Sequence, residues 1–370
     1  MTAILKISAG AVEPAARTNR PVLTGFVVTF FCAALLAGPA YDSYLHYDFS
    51  HSKDSESYMQ MASGNFDVCV THKYRVIVPG LAKLASLPVQ TVFGIVWPHR
   101  DDAAFHLRLG FFLINLTFMS LLGFVLFRTC QAYGFSVTEC ALAVTGVLVS
   151  RWANCLASIP LVDSFHLLCV ALLFLALKTR DSRLLALAIV LGPLSKESFL
   201  LIAPITMLFG SMRLWVQLVL YASAGLLILA THSLIDLQFP GAGTGSVQNA
   251  FDHFQKVPIS LRRLASPGGL GEVFTVLGLF NVVWLLTLLR PSRRELLGTI
   301  DLPLWCLLGS VIVQALISTS LARMLFVAAP FWAVLLAKGF QLLLADSLSI
   351  KTNNRTEISP APALSIREAS

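Results

Sequence analysis

Carboxylate side chains lie at a few positions beside long apolar stretches of this sequence. Asp54 and Glu56 follow the first apolar run, and Asp163 begins a later one. Glu197 lies in a short polar interruption of a third run. A carboxylate can take a proton from a hydroxyl as a general base, or it can hold a divalent cation. These acids are therefore candidate catalytic groups. The sequence identifies no cofactor with certainty, and the cofactor that these acids could bind is a divalent cation.

Basic side chains form the second half of the pattern. Lys196 lies in the same polar interruption, and Arg323 opens the last apolar run. Together with Arg75, Arg262 and Arg263, they could hold a phosphate or diphosphate through charge-assisted hydrogen bonds. A carboxylate beside such cations suits transfer of a group from a phosphate ester. In that reaction the leaving phosphate must be stabilised while the acceptor hydroxyl loses a proton.

The composition indicates the environment in which these residues act. Hydrophobic residues make up 56% of the 370 residues, and charged residues only 13%. A soluble domain carries about twice that charged fraction. The composition excludes a disordered chain, a secreted disulfide scaffold and an ordinary soluble enzyme. It predicts an all-α polytopic integral membrane protein, in which a net charge of +7 is no argument for nucleic-acid binding.

Apolar runs predict about ten transmembrane helices. Two of them are short, at 184–194 and 198–210, and meet at a tight turn, because one crossing would bury Lys196 and Glu197 near the bilayer centre. The first run could instead be a cleaved signal peptide. The other predicted spans have lengths near the roughly 20 residues needed to cross, and they are 24–40, 104–128, 136–151, 162–178, 214–234, 271–289, 300–319 and 324–344.

Basic residues in the short loops predict the orientation. With the N-terminus in the cytoplasm, the internal loops hold eight of them: Arg128, Lys178, Arg180, Arg183, Arg213, Arg290, Arg293 and Arg294. The short external connections hold three: Arg151, Lys196 and Arg323. This bias follows the positive-inside rule and predicts that both termini are cytoplasmic.

The chain divides into a cytoplasmic segment 1–21, a transmembrane domain 22–345 and a polar tail 346–370 that we expect to be disordered. Two long external loops are predicted at about 41–102 and 236–270.

The stretch 76–97 is apolar enough to cross the membrane. An extra crossing there would turn the later basic loops outward, so we expect 74–87 to lie along the surface as an interfacial helix.

Each candidate residue also has a structural interpretation. Ser52 could cap a helix whose first turn holds Asp54 and Glu56. Asp163 could cap another helix, with His166 packed one turn further on. The basic residues could extend to the interface, bind anionic headgroups or pair with a neighbour, and this applies to Arg75, Lys196, Arg262, Arg263 and Arg323.

Five short motifs share one pattern, in which acidic, basic or aromatic residues lie at the outer end of a predicted helix. They are Asp54 with Tyr58, Tyr74-Arg75 with Pro79, Asp163 after Pro160, Lys196-Glu197, and Arg323 with Pro330. In these motifs the stretch from about 22 to 345 resembles the GT-C superfamily of integral membrane glycosyltransferases, in its bacterial branch.

The resemblance implies an inverting glycosyltransferase of the bacterial inner (plasma) membrane. The donor would be a polyprenyl-phosphate-linked sugar, the acceptor an envelope glycan or lipid, and membrane lipids would surround the chain. Asp54 and Glu56 would be catalytic. Substrate-binding residues would be Tyr58, Tyr74, Arg75, Asp163, His166, Lys196, Glu197, Arg262, Arg263 and Arg323.

One departure from the family concerns metal. Many relatives carry Asp-Glu or Asp-x-Asp, whereas here Asp54 is followed by Ser55 and the second acid is Glu56. The metal requirement therefore stays open.

A transporter or flippase for a lipid-linked or anionic solute is the alternative function, and the broken segment 184–211 favours it. The gathering of charges at one face and the lack of an internal sequence repeat favour the enzyme. A structural membrane subunit without chemistry is a third hypothesis.

Overall fold

The computed structural model describes residues 21–46, 52–96, 103–240, 254–318 and 320–356, and these ranges contain helices and no strand. The predicted all-α class is therefore confirmed for the described chain. Five helices are long and apolar enough to cross a membrane, and up to eight spans result if each of three bent pairs is one span. The finer count of about ten stays a prediction.

The first half of the chain forms eight helices. They are α1 Pro21–His46, α2 Lys53–Ser63, α3 Val70–Lys73, α4 Ile77–Val96, α5 Ala103–Ala132, α6 Val137–Leu148, α7 Arg151–Ser158 and α8 Asp163–Thr179. Helix α5 contacts most of them and α8 is the most enclosed, with nearly every residue from Asp163 to Ala176 buried.

The second half begins with α9 Ser182–Ser195, a 3-10 segment Glu197–Ile202, α10 Ala203–Phe209 and α11 Leu214–Gln238. It continues with α12 Val257–Leu264, α13 Pro267–Phe274, α14 Asn281–Leu288, α15 Arg293–Thr299, α16 Leu302–Ile317, α17 Leu321–Leu325 and α18 Ala329–Thr356. Helix α18 returns to the core and packs on α6, α5 and α8.

Large apolar side chains cover the outside of the described helices. On α1, Phe26 is 70% exposed, and on α11, Leu226 and Leu237 are 67% and 79% exposed. In water such surfaces would be costly, whereas lipid chains solvate them without penalty. The exposed apolar faces and the candidate spans together identify a membrane protein.

Close packing of α4 and α1 on α5 depends on two glycines. A Cβ on Gly110 would lie 2.3 Å from the Ala82 carbonyl oxygen, and one on Gly123 would lie 2.6 Å from Cys32 Sγ. Both distances are shorter than van der Waals contact, so only glycine permits these helices to approach so closely.

Helix α4 differs from the predicted interfacial helix at 74–87. It begins at Ile77, continues through Pro88 and ends at Val96, which makes it a candidate span by length and composition. The sequence prediction covered only its first half. Pro88 does not end the helix, because a proline inside a helix removes one hydrogen bond and can be tolerated at that cost.

The predicted span 271–289 is not one straight helix, because the chain bends there by 93° between α13 and the helical segment Gly278–Leu288, and it counts as a span only if the bent pair crosses as one. Gly278, the first residue of the segment after this bend, has a φ of +56°, a backbone conformation that favours glycine. Similar bends of 66° and 86° separate α6 from α7 and α15 from α16. Hydrophobicity alone does not report such turns.

Two other boundaries were predicted less well. The long loop at 41–102 contains α2, α3 and α4, and the loop at 236–270 contains α12. Helix α18 continues to Thr356, beyond the predicted start of a disordered tail at 346. The N-terminal segment up to residue 20 and the stretch 357–370 lie outside the described residues.

Two short helices meeting at a turn were predicted at 184–211, and this is confirmed. Helix α9 ends at Ser195, Lys196 is extended with a φ of −167°, and the 3-10 segment begins at Glu197. A Cβ on Gly192 would lie 2.3 Å from the Phe199 ring, so the turn closes tightly over α9.

Candidate functional site

Four of the predicted site residues form one connected set, which we call the charge cluster: Asp54, Asp163, Lys196 and Arg323. Arg323 donates through Nη1 to Asp54 Oδ2 at 2.7 Å and through Nη2 to Asp163 Oδ2 at 2.5 Å. Lys196 Nζ donates to Asp163 Oδ1 at 3.1 Å. The tertiary structure therefore brings together α2, α8, α17 and the turn after α9.

Local capping fixes the helix that carries Asp54. The Ser52 side chain accepts from the Ser55 backbone N–H at 3.3 Å and caps α2, and Gly64 ends the helix with a φ of +99°. The predicted cap at Ser52 is confirmed. It does not compete with a chemical role for Asp54, because the carboxylate itself is turned toward Arg323.

Buried hydrogen bonds fix the helices that carry Asp163 and Arg323. Ser164 donates to the amide oxygen of Asn115 on α5, and the Asn115 amide nitrogen donates to the Ile159 carbonyl at 2.8 Å. Glu272 on α13 accepts from the backbone N–H of Ala322 at 3.3 Å, beside Arg323. Each helix start is thus tied to a neighbouring helix.

His72 joins the charge cluster and was not predicted from the sequence. Its Nε2 lies 3.4 Å from Asp54 Oδ1, and its ring packs 5.1 Å from the Tyr58 ring, centroid to centroid. Burial lowers the pKa of His72, more than the attraction of Asp54 raises it, so the neutral imidazole is favoured. The sequence feature that could have indicated His72 is its position two residues before the Tyr74-Arg75 motif.

Arg75 and Glu197 form a second ion pair beside the cluster. Arg75 donates through Nε and Nη2 to Glu197 Oε2 at 3.2 and 3.0 Å, and through Nη1 to the Tyr58 hydroxyl oxygen at 3.1 Å. Tyr58 is fully buried. Because its side chain is enclosed, Tyr58 positions Arg75 and does not lie where the predicted contact with substrate could form.

Glu56 does not join the charge cluster. It is exposed on α2, and its carboxylate accepts from the Gln60 side chain at 3.4 Å. Side chains two positions apart on an α-helix differ by about 200° in direction around its axis. Asp54 and Glu56 therefore face different directions. The prediction of a paired acid is therefore not matched by the geometry.

His166 lies behind the charge cluster. It is buried one turn after Asp163, and its Nδ1 is 3.1 Å from Ser195 Oγ. This contact ties α8 to the end of α9 next to Lys196. His166 therefore supports the site from the protein side and does not line it.

Tyr74 binds to α11 and not to the charge cluster. Its hydroxyl donates to the Asp236 carboxylate at 3.1 Å, and its ring stacks on His232 with centroids 3.5 Å apart. Lys73, which is buried, donates to the same Asp236 carboxylate at 2.7 Å. These contacts fasten the segment before α4 to the end of α11.

Arg262 and Arg263 lie on α12, away from the contacts that define the charge cluster. Arg263 Nη2 is 2.8 Å from Glu272 Oε2. Arg262 is exposed, and no ion pair joins it to another residue in the described ranges. Glu272 also accepts from the backbone N–H of Ala322 at the start of α17. Arg263 is therefore connected to the helix of Arg323 only through Glu272.

An apolar cavity of about 230 Å³ lies between α4, α9 and α11, and Glu197 is on its wall. The apolar wall includes Ile77, Leu194 and Leu227, and Tyr74, Thr231 and His232 supply polar groups. Glu197 therefore connects this cavity to the Arg75 ion pair and, through the adjacent Lys196, to the charge cluster.

The charges of the cluster balance, because two carboxylates face two cations. Burial by itself would raise the pKa of Asp54, but the charge and hydrogen bond of Arg323 outweigh it and hold the pKa below its ordinary value. Asp54 is therefore ionised at neutral pH. Asp163 is nearly enclosed, with 3% of its side chain exposed, whereas Asp54 keeps 34%.

The acids of the site do not form a set suited to a metal ion. The guanidinium of Arg323 lies between Asp54 and Asp163, where a cation bridging the two carboxylates would have to sit. Within the described ranges, no group of three His, Cys, Asp or Glu side chains could hold a metal ion.

Comparison with known proteins yields no relative: no family model, no curated protein and no solved structure matches the chain.

Proposed function

We propose that the chain is a membrane glycosyltransferase of the GT-C type, acting at the extracytoplasmic face of a bacterial inner membrane. It transfers a sugar from a polyprenyl-phosphate donor to an envelope glycan or lipid acceptor. The observation that carries this proposal is the convergence of a partly exposed carboxylate, Asp54, with Lys196 and Arg323 beside an apolar cavity.

Lys196 and Arg323 are the groups that hold the donor phosphate. An ammonium has three N–H bonds and a guanidinium five. Lys196 donates to Asp163, and Arg323 donates through Nη1 and Nη2, while its buried Nε has no hydrogen-bond partner in the described structure. Both cations thus have donor capacity left for phosphate oxygens.

The apolar cavity suits the lipid part of the donor. Leu194, Leu227 and Ile77 line it, and its volume of about 230 Å³ is enough for part of an isoprenoid chain but not for the whole lipid. The remainder of the chain would lie in the bilayer along the exposed face of α11. The cavity wall at Glu197 brings the lipid next to the cations.

Asp54 is the general base toward the acceptor hydroxyl. The acceptor oxygen forms a bond to the anomeric carbon, the bond from that carbon to the phosphate oxygen breaks, and the hydroxyl proton passes to Asp54. The electron pair of the broken bond leaves on polyprenyl phosphate, where Lys196 and Arg323 stabilise the charge. Attack from the side opposite the phosphate inverts the anomeric carbon.

Donor binding also prepares the base. The charge and hydrogen bond of Arg323 hold the pKa of Asp54 down. When the phosphate attracts Arg323, its interaction with Asp54 weakens, and the carboxylate becomes a stronger base. The same cation therefore links phosphate binding to activation of the acceptor.

The test is mass spectrometry of lipids and glycans from native cells with matched protein expression. We compare wild type, deletion, Asp54→Asn and Glu56→Gln, and check folding by thermal melting in detergent. Loss of one envelope sugar in the deletion and Asp54→Asn cells, with accumulation of its polyprenyl-phosphate donor, is expected. Glu56→Gln is the matched control, since Glu56 is on the same helix and faces away.

Two results would contradict the proposal. Folded Asp54→Asn protein that supports a normal glycan profile, while the deletion does not, would favour a transporter or a scaffold. An unchanged profile in the deletion would remove the connection to envelope glycans altogether.

A further inference from the structure

We propose that the end of the bundle opposite the charge cluster binds the phosphate headgroup of an anionic phospholipid. The site is a cavity of about 340 Å³ whose wall includes Lys178 and Arg180. This volume falls within the range of roughly 300 to 1,000 Å³ that is typical of ligand sites.

Helix α8 has one of the two sites at each end, so its length sets the distance between them. It begins at Asp163 in the charge cluster and reaches Lys178 one residue before its end. At 1.5 Å per residue the two side chains are attached about 22 Å apart along the axis. This is most of the thickness of a bilayer core, so the second cavity lies at the other membrane interface.

Lys178 is held at the wall of this cavity by aromatic and acidic neighbours. Its Nζ lies 3.6 Å from the centre of the Tyr133 ring and 3.4 Å from Asp301 Oδ2. Tyr133 donates to the same Asp301 oxygen at 2.6 Å. Asp301 therefore orients the ammonium, which has further N–H bonds for a ligand.

Arg180 supplies a second positive charge at an unusual backbone conformation. It ends α8 with a φ of +56°, and it is the one residue other than glycine with positive φ in the described chain. An arginine there has a conformational cost that glycine would avoid. No hydrogen bond or ion pair joins its guanidinium to another described residue, although it lines the cavity.

The rest of the wall indicates a lipid and not a free ion. Phe174, Leu177, Phe209 and Pro303 line the cavity beside the two cations. With Asp301 as the only acid on its wall within the described ranges, the cavity has a net charge of +1. A basic pocket between helices at a membrane interface fits an anionic headgroup whose chains continue along apolar side chains.

The experiment is native mass spectrometry of the full chain in a neutral detergent. It is titrated with phosphatidylglycerol and, separately, with phosphatidylcholine. We expect wild type to retain more phosphatidylglycerol, and Arg180→Gly to reduce that preference about five-fold. Because glycine adopts positive φ freely, the same variant should melt at the same or a higher temperature, which separates loss of binding from loss of folding.

Arg183→Gln is the matched control, since Arg183 is exposed at the start of α9 and does not line the cavity. It should keep the wild-type preference, and Lys178→Arg should keep most of it. Equal losses in Arg183→Gln and Arg180→Gly, or no loss in Arg180→Gly, would overturn the proposal. Displacement of phosphatidylglycerol by an equal concentration of inorganic phosphate would overturn the lipid assignment and indicate a soluble phosphate ligand.

Discussion

The guanidinium of Arg323 donates to the carboxylate of Asp54 at 2.7 Å, across 269 residues of sequence. One residue lies on a short helix after the first candidate span, and the other opens the last candidate span. Their contact joins the beginning and the end of the described chain at the charge cluster. It also makes the pKa of Asp54 depend on any other group that binds the guanidinium of Arg323.

Replacing Arg323 by Met should destabilise the protein strongly. The change leaves Asp163 buried with Lys196 as its remaining cation, and breaking a buried pair typically costs about 3 to 5 kcal/mol. Thermal melting in detergent measures the effect. Adding Asp163→Asn should recover part of the loss in a double-mutant cycle, whereas independent effects of the two changes would contradict the coupling.

The low pKa of His72 predicts a pH-dependent stability. Because the folded pKa lies below 6.5, stability is complete above that pH and falls as pH decreases through the folded value. Melting temperatures between pH 7.5 and 5 should drop more for wild type than for His72→Gln. His46→Gln, at an exposed position, should follow wild type, and identical slopes in all three would refute the prediction.

Lys196→Gln should lower kcat/KM for the polyprenyl-phosphate sugar by about 100-fold, which is typical of removing one group that stabilises a leaving charge. Lys196→Arg should retain part of the activity because its charge is kept. The measurement is sugar transfer by purified protein in detergent. Normal transfer by folded Lys196→Gln protein would exclude this lysine from phosphate binding.

Filling the apolar cavity should discriminate between donors of different chain length. Leu227→Trp places a larger side chain in the cavity and should raise KM for a long-chain donor more than for a water-soluble short-chain analogue. Leu226→Trp is the control, because Leu226 is 67% exposed on the next position of α11. Equal KM changes in the two variants would place the lipid elsewhere.

Gly110→Ala should destabilise the packing of α4 on α5 by about 1 to 3 kcal/mol, the usual cost of overpacking. The new methyl group would overlap the Ala82 carbonyl. Gly94→Ala in α4 has open space around its Cβ and should be neutral or stabilising, since alanine is the better helix former. Chemical unfolding of both variants checks the contrast.

Much of the fold was predictable because the thickness and apolar character of the bilayer directly set the length and hydrophobicity of a helix that crosses it. Apolar runs long enough to cross a bilayer identified the membrane class, and Pro193-Leu194-Ser195-Lys196-Glu197 predicted the turn between α9 and the following 3-10 segment. The break before Gly278 was missed, because a sequence of apolar residues looks the same whether the backbone continues or bends by 93°.

The sequence by itself determined that the chain is helical and membrane-embedded. It also indicated Asp54, Asp163, Lys196 and Arg323 as candidates, because ionisable groups beside apolar membrane segments are energetically unfavourable and commonly functional. Only the tertiary structure decided which candidates meet. It joined His72 to Asp54 and turned Glu56 outward, and it enclosed Tyr58. The reason is that side-chain direction depends on helix rotation and on packing between distant segments, which local patterns do not encode.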